Sequence, residues 1–156
     1  MSDADVVGGV PARIVGGGFA TLERFFADPA NHDAIASNGP LEGREGLRFA
    51  MLCSGVSDHA LDRYMDQPFG VVYWHASHYE YVDQQTGEIS ERVRLVFVDA
   101  AGETYSTSSV GVIGSLDRIR RYMGDGPYDP PLTVMCVAQR TRSDRTILQL
   151  RLVDGG

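Results

Sequence analysis

Lysine is missing from this 156-residue chain, and all 14 of its basic side chains are arginine. Cationic contacts are therefore made by planar guanidinium groups, which fork onto phosphates and stack on flat rings better than an ammonium does. Cysteine is nearly missing too. Cys53 and Cys136 lie far apart inside apolar runs, where a small buried hydrophobe is expected and a disulfide framework is not. No apolar run approaches the roughly 20 residues that span a bilayer, and the first nine residues lack the basic start and apolar stretch of a secretory leader. The expectation is a cytoplasmic protein without a membrane partner. There is no phosphate-binding loop, nucleophile elbow or dinucleotide fingerprint, and the carboxylates are scattered among loops. Nothing in the residues supports an enzyme.

What is present is an acidic chain, 43% hydrophobic, with a formal net charge of -7. A core of useful size is available. Polyanions are repelled by the body as a whole, so a site for one must be a local patch. The charge is uneven: residues 1–67 hold 5 Arg against 10 acids, whereas residues 68–156 hold 9 against 11. The second part is close to balance.

Residues 1–18, rich in Gly, Ala and Val and including Gly16, Gly17 and Gly18, read as a flexible arm. Phe19, Leu22, Phe25 and Phe26 fall on one face at helical spacing, and Pro29 ends that helix. Residues 29–46 read as loop, residues 47–52 as a short apolar strand or buried segment, and Ser57 as the cap of a short helix running to Met65 with Leu61 and Tyr64 inward.

From Phe69 onward the pattern is that of strands. Residues 69–82 form one long aromatic run. The turn at residues 83–88 leads to a half-buried second strand in which Val93, Leu95 and Phe97 alternate with Arg92, Arg94 and Val96. A turn at residues 99–102 precedes a polar third strand, residues 103–109. Gly111 and Gly114 break it, and Ser115 is placed to cap a helix with Leu116, Ile119 and Met123 on one side, Arg118, Arg120 and Arg121 toward solvent, and Gly124 at its end. A rigid loop, residues 124–131, leads to strands at 132–139 and 146–153 joined by a polar turn. Three strands, a helix and a closing hairpin are the order of an OB-fold, a five-stranded barrel with its helix between the third and fourth strands. The expected architecture is mainly β with helices: an extension over residues 1–60 and an OB-fold domain over residues 61–156.

Such barrels bind single strands across strands two and three, with rings under the bases and cations on the backbone. Trp74, Tyr79, Tyr81 and Tyr105 with Arg92 and Arg94 supply both, although each ring also fits core packing or a cross-strand pair. Tyr73 and Trp74 must point to opposite faces. Arg140, Arg142 and Arg145 in the last hairpin, against Asp144, form the densest basic cluster; those at residues 118–121 rank lower because a helix C-terminus favours cations with or without a ligand. His75 and His78 have a metal-like spacing, but an odd separation on a strand sends the rings to opposite faces, so no metal site is expected from the pair.

Residues 82–119 and 130–152, with the turn around Thr86, Gly87 and Glu88, the step from Ser109 and Gly111 into Ser115 and Leu116, and the closing hairpin around Arg142, resemble single-stranded-DNA-binding proteins of bacteriophages and related mobile elements. The likeness runs from about Leu61 to Val153. It implies a protein of the bacterial host cell that coats and protects exposed single strands in replication or recombination, passes them to partner proteins, and works without cofactor or metal. Small binders of this kind are expected to act as homo-oligomers. The rival expectation is an OB-fold module for protein interaction or assembly, with the same rings in a dry contact.

Overall fold

The computed structural model describes residues 14–153, so most of the expected N-terminal arm lies outside the described residues. Within it, Ile14–Val15 is not free chain but β1, paired in parallel with β2 (Ile35–Ser37). Helix α1 (Leu22–Ala27) is shorter than the aromatic spacing indicated, with Phe19 ahead of it, the Thr21 hydroxyl accepting from the Arg24 N–H, and Leu22, Phe25 and Phe26 buried.

Residues 29–46 are more ordered than their loop-like composition indicates. A 3-10 turn (Pro29–Asn31) and β2 precede helix α2 (Gly43–Ser54), which replaces the strand expected at residues 47–52. The helical period is blurred there because Leu47, Met51 and Leu52 are exposed, while Gly46, Phe49 and Cys53 form the buried stripe. Ser57 caps no helix. Its hydroxyl bonds the His59 carbonyl and lies 2.6 Å from the Ser106 hydroxyl, leading into the two-residue β3 (His59–Ala60) and a 3-10 turn (Leu61–Arg63).

The long aromatic run divides at Val72 into β4 (Phe69–Val71) and β5 (Tyr73–Val82). The strands that follow are β6 (Ile89–Val98), β7 (Thr104–Thr107), β8 (Leu132–Arg140) and β9 (Thr146–Leu152), with helix α3 (Val110–Met123) between β7 and β8. Helix α3 begins six residues earlier than expected, capped not by Ser115 but by Ser109, whose hydroxyl accepts from the Val112 N–H. Gly111 and Gly114 lie within it. At Gly111 the helix runs so close to β9 that a Cβ would collide with the Leu148 carbonyl oxygen. Ser115 ties the same two elements, donating to the Gly111 carbonyl and accepting from the Leu150 N–H.

The order of three strands, helix and hairpin is thus present, but the hydrogen bonding makes two sheets and not a closed five-stranded barrel. One sheet runs β1-β2-β5-β6-β7-β3 and the other β9-β8-β4. Closure would need β7 beside β9; instead the outer edge of β7 is taken by β3, with His59 opposite Tyr105. The segment through Val72 joins the sheets, since β4 pairs with β8 while β5 pairs with β6.

Trp74, Leu95 and Phe97 are fully buried in the main core with Leu22, Leu61 and Leu116, each contributing roughly 1.5–3 kcal/mol by its removal from water. Thus α1 is built into the same core as the strands. A smaller cluster of Phe49, Cys53, Val96 and Val98 seals α2 onto the other face, so the end of β6 is buried on both sides and not on one as expected. Among the described residues no helix is long and apolar enough to cross a membrane.

Candidate nucleic-acid interface

The pleat of β5 and β6 decides which candidate residues meet. Tyr79 lies opposite Arg92, Ser77 opposite Arg94 and Tyr81 opposite Ser90, which puts all six on one face. Trp74 pairs with Phe97 and Ala76 with Leu95 on the other, which is the core. Helix α2 covers the first face only at its Tyr73 and Val98 end. Beyond Arg94 that face opens into a groove of about 610 Å³ walled by Tyr79, Arg92 and Arg94, by Ser106 and Ser108, and by Leu148 from β9. A second depression of about 620 Å³ shares Arg92 and Ser108 with it and reaches Phe26, His78 and Glu91.

Three of the nine expected contact residues therefore converge, each held differently. The half-buried Tyr79 has its hydroxyl 2.9 Å from that of Ser108. Arg92 is exposed, its guanidinium 3.8 Å from the centre of the Tyr81 ring, a cation–π contact that links a fourth expected residue to the groove. Arg94 donates to the Cys53 and Gly55 carbonyls at the end of α2, which satisfies carbonyls left open by the helix and fixes the guanidinium in place.

Trp74 and Tyr105 are core residues and not stacking platforms. The Trp74 side chain is fully buried, and its indole N–H donates to the Asp125 carbonyl at 2.9 Å. Tyr105, opposite Phe97 on the core face, stacks on Phe69 with ring centres 4.4 Å apart and donates to Asp99. Burial and the Asp99 carboxylate hold its phenol protonated well above the ordinary tyrosine range. Arg140, Arg142 and Arg145 are exposed in and around the β8–β9 turn, outside the walls of the groove, and Arg140 is paired with Asp144 at 2.9 Å with both side chains about three-quarters exposed. Such a pair is worth little to stability.

Arg120, expected in solvent, is buried. It donates to Asp117 at 2.8 Å, to Asp125 at 2.7 Å and to the Phe19 carbonyl at 2.9 Å, while its guanidinium lies 4.0 Å from the Phe19 ring centre. Arg118 and Arg121 do remain outward. His75 faces Phe49 on the α2 side, and burial, reinforced by the nearby Arg94 charge, lowers its pKa to about 4. His78 lies on the opposite side beside Phe26, so the two rings do diverge.

Sequence reasoning missed Ser106 and Ser108, because a hydroxyl on a polar strand carries no pattern of its own. It also missed Glu91, and it weighed His78 only as a partner of His75; His78 and Glu91 come together only through the register. The lining of the groove offers a ring, two guanidinium groups and hydroxyls against one carboxylate, Asp62, a set with a net positive charge suited to holding a flat, anionic polymer. A family model described as the phage single-stranded DNA-binding protein matches residues 71–153, more than half of the chain. No curated protein and no solved structure matches it.

Proposed function

The chain belongs to the phage single-stranded DNA-binding protein family, and from that premise we propose that it coats and protects single strands through the groove over the outer face of β5, β6 and β7. The observation that carries this reading is the convergence of Tyr79, Arg92 and Arg94 on one wall set. Tyr79 and Tyr81 offer faces to bases, each stack being worth about 1–3 kcal/mol. Arg92 takes phosphate, and Arg94 adds fixed positive charge to the floor. Recognition of this kind tolerates any sequence, since every base has a face and every nucleotide a phosphate. With a net charge of -7 the attraction is confined to the groove. The exposed arginines of the β8–β9 turn extend the basic track beyond it.

The strand order, with one bent segment serving both sheets, supports an open form of the OB architecture. We place the protein in phage or mobile-element replication or recombination within the bacterial host cell, as a homo-oligomer along the strand and as a binder, not an enzyme. The test is fluorescence anisotropy with labelled oligo-dT at low and moderate salt, with duplex DNA as control. Saturable binding to the single strand alone, weakening steeply with salt, is expected. No binding at low salt would overturn the reading and favour a protein-interaction module.

A further inference from the structure

The groove reading leaves unused a cluster at the far end of the second depression. His32 follows the 3-10 turn after α1, His78 lies on β5, and Glu91 lies on β6. His78 is opposite Val93 and Glu91 is opposite Glu80, so His78 and Glu91 are diagonal neighbours on one face of the hairpin. His32 reaches the same point from outside the strands. One donor atom from each of the three residues lies within 4.8 Å of the others. The closest approaches are 3.7 Å from His32 Nδ1 to one Glu91 oxygen and 3.7 Å from His78 Nε2 to the other.

Those separations are too long for hydrogen bonds. They are close to the roughly 3.4 Å between two donors that each hold one tetrahedral ion at about 2.0–2.1 Å. The imidazoles of His32 and His78 lie with centres 4.6 Å apart and planes 19° from parallel, and the Phe26 ring is centred 5.9 Å from that of His78. Because a ring-nitrogen lone pair lies in the plane of its own ring, the partly exposed His32 ring must turn to bring both lone pairs onto one ion. The His78 side chain is nine-tenths buried, yet its Nε2 points at a carboxylate with half its surface in water.

We propose that His32, His78 and Glu91 bind one divalent transition-metal ion, zinc being the best match. Two imidazoles and a carboxylate suit zinc and its neighbours, whereas calcium and magnesium call for an all-oxygen shell. Three protein ligands leave a fourth position toward the depression, where Glu23 and Arg92 also line the wall. The ion joins the segment after α1 to the β5–β6 hairpin. This inference does not depend on what the groove binds.

The test is calorimetric titration of the metal-free full chain with zinc chloride, alongside visible spectroscopy with cobalt(II). One equivalent is expected to bind saturably and to give the absorption bands of a four-coordinate cobalt site. His32→Ala and Glu91→Gln, at partly exposed positions, should weaken binding by more than the roughly 10–100-fold that loss of an outer partner costs. His59→Ala, which removes a separate histidine–carboxylate contact, 2.7 Å from Glu103, should leave it unchanged. Absence of saturable zinc binding, or binding undiminished in both His32→Ala and Glu91→Gln, would overturn the proposal.

Discussion

The two ends of the β5–β6 hairpin are built from the same kinds of residue and serve different purposes. At one end Tyr73, Trp74, Phe97 and Val98 lie between α2 on one side and the main core on the other. At the other, Tyr79, Tyr81 and Arg92 stand past the reach of α2, with Tyr81 37% exposed. The difference is one of cover and not of composition. An aromatic ring on a strand is a core residue or a ligand platform according to what packs over it, and here the boundary falls near Arg94.

Substitutions on either side of that boundary sharpen the contrast. Trp74→Ala should cost roughly 3–5 kcal/mol or prevent folding, whereas Tyr81→Ala should change stability by about 0.5 kcal/mol or less, both read by urea denaturation. Equal losses would mean that the distal end is core as well.

Next in size is an effect of pH confined to the covered end. His75 titrates near 6.5 when unfolded and near 4 when folded, so between those values the unfolded chain holds the additional proton. Stability from this site is complete above pH 6.5, falls by an amount on the order of a few kcal/mol as pH drops to about 4, and then levels. His75→Asn should flatten this part of the stability–pH curve.

At the open end, Tyr79→Ala should weaken oligo-dT binding by about 1–3 kcal/mol. Arg92→Ala should lower the slope of log affinity against log salt by about 0.7 for each phosphate lost. Arg94→Ala should instead loosen α2, because its donors are already committed to the Cys53 and Gly55 carbonyls. Anisotropy and denaturation measured together separate the two. The smallest effect is expected from Asp144→Asn, which frees Arg140 and should raise affinity for single strands by a few tenths of a kcal/mol.

From Phe69 onward the strand order was legible because alternation and turn residues recur at short intervals, as at Gly87 and Gly102, both at positive φ in their turns. Helix α2 was not, since its exposed Leu47, Met51 and Leu52 erase the period. Closure of the barrel could not be read either, as nothing in the residues around His59 announces that a two-residue strand will take the edge of β7. For the site, the pairing of Tyr79 with Arg92 follows from the register of one hairpin. The burial of Trp74 depends on Asn38 and Asp125, residues 36 and 51 positions away.

Arg120 has a bearing on how this chain could be shortened. Its guanidinium takes partners from before α1, from α3 itself and from the loop after it, and Asp117 in turn accepts the Leu22 N–H. The N-terminal segment thus supplies backbone hydrogen bonds to the buried ion pairs of the family-matched region, and β2 supplies a neighbour for β5. A fragment trimmed to residues 71–153 would carry a guanidinium deprived of the Phe19 carbonyl and a strand edge without its cover. The recognisable stretch of sequence therefore leaves out contacts that complete the fold around it.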